Sequence, residues 1–220
     1  MDITNIVILV TVLIGSVVVH EVAHAWQARR EGDDTAERLG RITLNPLSHL
    51  DLMGSFIVPM ALYFSGTGFL FGWAKPVPVN PANYRNYVAG DIRVSMAGIV
   101  SNIFLALGAT LLMAMLVKLR SFVGPLGGVL DSALLALNYA VFINLILAFF
   151  NLIPVPPLDG SHVLAHLLPD ALALKYRQFG QYGVLALMGV LYFIPGAFGV
   201  VLWPVLYLQG LADWFIRLWI

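Results

Sequence analysis

The sequence predicts an all-α polytopic membrane protein, with about five spanning helices, a re-entrant segment and short β-strands near a buried polar site. Three observations carry that reading. Of the 220 residues, 60% are hydrophobic and only 11% are charged, and the mean hydropathy is +0.86, far from the averages of a soluble domain. Apolar runs of spanning length recur along the chain, and about five or six fit at roughly 20 residues each. The run Ile6–Val19 carries no charge, yet His20, Glu21 and His24 follow directly while Ala25 and Trp26 continue the apolar character. Ionisable groups are costly in a bilayer and mark function when they occur there.

The first span covers about Ile3–Arg30 and ends in the charged cluster Arg29–Asp34. Its start, Met1–Asn5, lacks the positive n-region of a signal peptide and reads as a retained helix. Arg38–Pro46 combines β-branched residues with Gly and Pro and predicts a short strand ending in a turn. Leu52–Phe64 is apolar but short and broken by Gly54 and Pro59; Ser65–Gly68 and a second apolar piece, Phe69–Trp73, follow. Lys75–Pro81 holds Pro76, Pro78 and Pro81 and cannot be helical. Arg93–Val117 is a span whose Ala97, Gly98 and Ser101 suit close helix packing. Leu130–Leu152 is another, interrupted at Pro154, and two more are expected over about Leu172–Phe193 and Phe198–Leu218. One integrated membrane domain is expected over 1–220, with a core at about 3–165 and a C-terminal helix pair at about 172–218.

Charge placement sets the topology. If 52–73 dips into the membrane and returns, ten of the basic residues, from Arg29 to Arg217, share one side and only Lys118 and Arg120 lie opposite. The positive-inside rule makes the larger group cytoplasmic, with the N-terminus outside and His20–His24 toward the cytoplasmic end of the first span. A single crossing by 52–73 would divide the basic residues more evenly and put Asp159 on the side opposite His24.

His20-Glu21-Val22-Ala23-His24 has the H-E-x-x-H pattern. On a helix, residues four apart share a face, so both imidazoles can hold one Zn²⁺ and Glu21 is placed as a general base. The chain has no cysteine, so any metal must take His, Asp, Glu or Asn. A catalytic zinc site needs about three protein ligands. The candidates for the third are His49, Asp51, Asp159, His162, His166 and Asp170; Asp159 is the best placed, because Asn151–Pro157 supplies unwound backbone after a span. Asp159 also suits the N-cap of a helix beginning at Ser161, and His162 with His166 suit one face of a short helix. Asn102 and Asn151 are candidate amide partners for a substrate backbone or oxyanion, or simply bridges between helices.

HEVAH in an apolar helix followed by Asn151-Leu152-Ile153-Pro154-Val155-Pro156-Pro157-Leu158-Asp159-Gly160 resembles the site-2 protease family of intramembrane zinc metallopeptidases, whose second motif is N-x-x-P-x-P-x-L-D-G. Ala97–Asn102 is similar to the family's A-G-P-x-x-N motif, with Ile99 in place of the proline. Gly40–Pro46 and Gly72–Asn80 resemble a compact prokaryotic subgroup without PDZ or CBS modules. The resemblance covers roughly Val17–Leu164. It implies zinc ligands His20, His24 and Asp159, a catalytic Glu21, a transmembrane protein or peptide substrate in the lipid bilayer, and a prokaryotic cell membrane. A strand near Ile42 or Val77 would pair with an unwound substrate segment. A metal-handling membrane protein and a catalytically inactive relative that binds substrates remain the alternatives. No basic patch suggests nucleic acid, and the sequence leaves the oligomeric state open.

Overall fold

The computed structural model describes residues 2–65, 72–123 and 128–219. Helix α1 (Ile3–Glu31) has 29 residues, so it extends about 43 Å, enough to cross a hydrocarbon core of about 30 Å with a turn or more to spare. Gly32 ends it with a left-handed φ of 116°, a conformation L side chains resist, and Arg29 and Arg30 face the negative end of its dipole. A short helix, α2 (Thr35–Arg38), and an extended stretch follow. Leu52 then opens a π-helical turn, Met53–Ile57, which runs into α3 (Val58–Phe64). An extended strap over 72–80 leads to the longest helix, α4 (Tyr87–Val123), and then to α5 (Gly128–Asn151). A proline-rich turn separates α5 from α6 (Asp159–Leu167), and α7 (Asp170–Phe193) and α8 (Ala197–Arg217) close the chain.

The long helix α4 is the hub, packing against α1, α5, α6 and α8. Ala106 and Ala109 of α4, Val141 and Leu145 of α5 and Val205 of α8 form the largest buried cluster. Small residues at such contacts let helices approach closely where lipid supplies no hydrophobic drive. The outward faces stay apolar: Phe104, Leu107 and Met115 on α4 and Val200, Trp203 and Leu206 on α8 are exposed, as lipid-facing residues are. The described residues hold four helices long and apolar enough to cross a membrane, α1, α4, α5 and α8.

Two parts of the predicted fold class are corrected. Four described helices, not five, have spanning length and composition; α7 is long, but its apolar part is only Tyr182–Phe193, because Lys175, Arg177 and Gln178 occupy its first half. No strand forms among the described residues, although 41–45 and 72–80 are extended. Pro76 and Pro78 remove the donors a ladder would need. The Val77 N–H goes to Glu21 Oε2 (2.9 Å) and the Lys75 N–H to the His49 carbonyl (2.8 Å). The two extended stretches meet through a side chain instead: Arg41 Nη2 donates to the carbonyls of Lys75 (3.1 Å) and Pro76 (3.3 Å).

The segment beginning at Leu52 leaves and rejoins at one place. The Trp73 N–H donates to the Gly54 carbonyl (3.0 Å) and the Ser55 hydroxyl to the Trp73 carbonyl (3.1 Å). A single crossing would hold those ends about 30 Å apart. A Cβ on Gly54 would meet the Trp73 indole at 2.5 Å, so only glycine admits the ring there. Most of the predicted apolar piece Phe69–Trp73 lies outside the described residues.

Beyond α1 the strap is anchored by Asp33, which is 1% exposed. Its carboxylate accepts from the Asn80 N–H (2.6 Å), Asn83 Nδ2 (2.8 Å) and the Thr35 N–H (3.2 Å). Burial alone would push its carboxyl up; the hydrogen bonds from Asn80, Thr35 and Asn83 outweigh burial and hold it below the usual carboxylate range. Asp33→Ala is therefore expected to cost about 2–3 kcal/mol in detergent thermal melts, since hydrogen bonds to charged groups are the strong ones. A folded-state pKa below the unfolded value means that this stabilisation is present above about pH 4 and lost as pH falls through the folded value. The wild-type melting temperature should thus converge on that of Asp33→Ala in acid; a constant gap across pH would refute the assignment.

Candidate metal centre

Helical periodicity turns His20 and His24 from α1 toward α4, where both are buried. Gly98 of α4 makes the room: a Cβ there would lie 2.5 Å from His20 Cε1 and from His24 Nε2. Each imidazole is then fixed by its Nδ1. His24 Nδ1 lies 2.7 Å from the Val94 carbonyl, which only accepts, so that nitrogen carries the proton. His20 Nδ1 lies 2.6 Å from Asn102 Oδ1.

The orientation of Asn102 follows from a chain of acceptors. The Ala140 carbonyl takes Asn144 Nδ2 (2.8 Å), which leaves Asn144 Oδ1 to accept from Asn102 Nδ2 (2.7 Å). Asn102 Oδ1 therefore faces His20, which must donate from Nδ1. Asn144 Nδ2 also reaches the Ser16 hydroxyl (2.9 Å), and both asparagines are almost fully buried. This unbroken relay fixes the His20 tautomer from a residue on α5.

With both Nδ1 atoms protonated, the neutral rings present bare Nε2 lone pairs to each other at 3.0 Å. Asp159 Oδ2 joins them, 3.2 Å from His20 Nε2 and 3.4 Å from His24 Nε2, and is buried with no hydrogen-bond donor. Three converging electron pairs repel unless a metal ion or a shared proton sits among them. Their separations match the ~3.3 Å edge of a tetrahedral ion with bonds of about 2.0–2.1 Å, and two imidazoles with a carboxylate are a donor set that suits zinc. Among the described residues this trio alone forms such a cluster.

The third donor is delivered by an unusual turn. After α5 ends at Asn151, Tyr176 of α7 donates its hydroxyl to the Pro154 carbonyl (2.8 Å). Gly183 of α7 lies so close to the Pro156 carbonyl that a Cβ would overlap it. A Cβ at Gly160 would land on the Leu152 carbonyl, so the chain can fold back beside His20 and His24 only with glycine there. Asp159 is the first residue of α6, not its cap, and makes no capping hydrogen bond.

Glu21, half-buried, is held from the strap by the Val77 N–H. Asn151 donates Nδ2 to the Leu147 carbonyl of its own helix (2.9 Å). Of the other candidate ligands, Asp170 opens α7 and four are engaged elsewhere. His49 Nε2 donates to the Thr43 carbonyl (2.9 Å), Asp51 Oδ1 accepts from the Gly54 N–H (2.6 Å), and His162 and His166 turn to Asp91. Sequence reading missed Asn144, Asp91 and the role of Gly98 beyond packing. An Asn midway along the apolar run Ala140–Phe150 of α5 was the available signal for Asn144; the Val94 and Val77 backbone groups had none.

Against known families, residues 8–195 match the model of peptidase family M50. The chain belongs to that family. It is a membrane peptidase of the site-2 protease type. YwhC of Bacillus subtilis (strain 168), which carries the name of a zinc metalloprotease, is 38% identical over 200 residues, covering 90% of this chain and 85% of YwhC. Rip2 of Mycobacterium tuberculosis (strain H37Rv), named likewise, is 32% identical over 196 residues, 86% of this chain and 69% of Rip2. Rip2 of Mycolicibacterium smegmatis is 34% identical over 160 residues, and the match spans 70% of this chain but only 55% of that relative. No solved structure matches the chain.

Gly98→Ala is expected to drive a methyl group into both imidazoles and abolish high-affinity zinc binding, read as zinc per chain by elemental analysis. Asn102→Ala should release His20 and weaken zinc by about 10–100-fold, the range for partners that orient metal-ligating histidines. Unchanged zinc affinity in both variants would exclude this site.

Proposed function

We propose that this M50 member is an intramembrane zinc endopeptidase in which His20, His24 and Asp159 hold the metal and Glu21 is the general base. The observation that carries the reading is the convergence of Asp159 Oδ2 on two imidazole Nε2 atoms whose Nδ1 protons are already committed to Asn102 and Val94. When bound there, zinc supplies Lewis-acid activation of water and polarises a peptide carbonyl.

The chain's own residues do the rest. Glu21 accepts a proton from the attacking water and passes it to the nitrogen of the leaving amine, so one carboxylate serves both halves of the hydrolysis. The Val77 N–H holds that carboxylate in place from the strap. Asn102 acts through His20, because its amide is spent inside the relay; Asn151 keeps one amide N–H for a substrate backbone or oxyanion. The substrate class is a transmembrane protein segment, reached within the bilayer that α1, α4, α5 and α8 span. The orientation follows the positive-inside rule. Lys118 lies 4.8 Å over the Trp219 ring, so Arg217 belongs with Lys118 and Arg120 rather than with the larger group. The other nine basic residues keep the site toward the cytoplasmic face of a prokaryotic cell membrane.

Cleavage of a model transmembrane substrate by purified protein tests this, wild type beside Glu21→Gln, with zinc measured in both. Glu21→Gln should lower the rate by about 10²–10⁴-fold, the span for a lost general base, while zinc content is unchanged. Equal processing by both proteins, or wild type without zinc, would overturn the reading.

A further inference from the structure

Asp91 is a buried carboxylate outside the ligand trio, with 5% of its surface exposed. Among the described residues no Lys or Arg pairs with it. Its partners are two imidazoles of α6: His166 Nε2 at 2.7 Å and His162 Nδ1 at 3.3 Å, both on Oδ2. The His166 side chain is only 6% exposed, with its ring edge-on to Tyr87 at 5.4 Å, whereas the His162 side chain is 48% exposed. A buried acid without a cation is costly unless donors satisfy it, so these two contacts hold strongly.

The spacing gives the contact its meaning. Asp91, Val94 and Gly98 sit at i, i+3 and i+7, one face of α4. Val94 holds His24 and Gly98 cradles both imidazoles, so Asp91 lies on the same face, two turns from the metal position. Asp159, His162 and His166 have the same i, i+3, i+7 spacing on α6. The two helices therefore meet in opposite directions: Asp159 lies at the Gly98 end and His166 at the Asp91 end. At nine residues, α6 is a rigid rod of about 13 Å, with the ligand at one end and the buried Asp91 contact toward the other.

We propose that Asp91 is a positioning residue for the metal centre. Through His166 and His162 it pins the far end of α6 to α4 and so sets where the Asp159 carboxylate meets His20 and His24. The inference rests on the reading of those three residues as the ligand set. Asp91 itself touches neither the metal nor the substrate.

The test titrates zinc into purified metal-free protein against a competing chromophoric chelator, with the thermal midpoint of the metal-free protein measured in parallel. Asp91→Ala is expected to weaken zinc by about tenfold. Introduced into Asp159→Ala, it should have no further effect on zinc, because no carboxylate is left to misplace. Should Asp91→Ala not fold, His166→Phe, which keeps a ring against Tyr87 and removes the donor, carries the same pair of measurements. A lower metal-free midpoint with wild-type zinc affinity in the folded protein would show a purely structural contact and overturn the inference alone. Wild type that binds no zinc would instead remove the ligand set, and the inference with it.

Discussion

The interaction on which the rest of the structure depends is the capture of both histidine Nδ1 protons by α4. A helix bearing H-E-x-x-H guarantees only that two imidazoles share a face. It does not choose their tautomers, and a ring with its proton on Nε2 cannot ligate a metal through that nitrogen. Val94 and Asn102 make that choice at 2.7 and 2.6 Å, and they can do so only because Gly98 lets the rings lie against α4. The packing of α1 on α4 and the chemistry of the site are thus one constraint. Close approach supplies the van der Waals contact on which membrane helices rely, and the same approach brings acceptors to the imidazoles.

That constraint extends outward through polar groups that would otherwise be liabilities in a bilayer. Asn102 and Asn144 each bury a full carboxamide, which costs free energy unless every group finds a partner. The relay satisfies them in sequence, from the Ala140 carbonyl through Asn144 and Asn102 to His20. Each amide has only one orientation consistent with its neighbours, so the network specifies as well as stabilises. Ser16 closes it from α1, four residues before His20 on the same helical face. Three helices are therefore locked in register by the groups that define the site.

Much of this was legible in the sequence, and what was not has a common cause. The convergence of His20, His24 and Asp159 could be read because helical spacing and the Asn151–Gly160 turn are local patterns. The apolar runs revealed the membrane class for the same reason. Asn144, Asp91 and Val94 gain their roles only when α1, α4, α5 and α6 are packed, and backbone carbonyls carry no sequence signal at all. The two misreadings came from weighing composition over hydrogen-bond supply. Residues 172–193 look apolar in sum, yet Lys175, Arg177 and Gln178 leave only Tyr182–Phe193 as an apolar helix. The β-branched residues near Ile42 and Val77 favour extended backbone, but Pro76 and Pro78 deny it a ladder.

The same prolines explain why the strap lies where it does. An extended segment with donors on both edges would pair with the neighbouring 41–45 stretch and bury its N–H groups there. Pro76 and Pro78 have none to give, so Val77 between them keeps a donor directed elsewhere, and Glu21 Oε2 receives it. The strap's carbonyls at Lys75 and Pro76 are taken by Arg41, and its far end by Asp33 at Asn80. Both anchors lie outside the spans, and the buried Asp33 carboxylate is satisfied by hydrogen bonds from Asn80, Asn83 and Thr35. Proline placement thus converts a potential sheet edge into a fixed donor to Glu21, held in place by two anchors at Arg41 and Asp33.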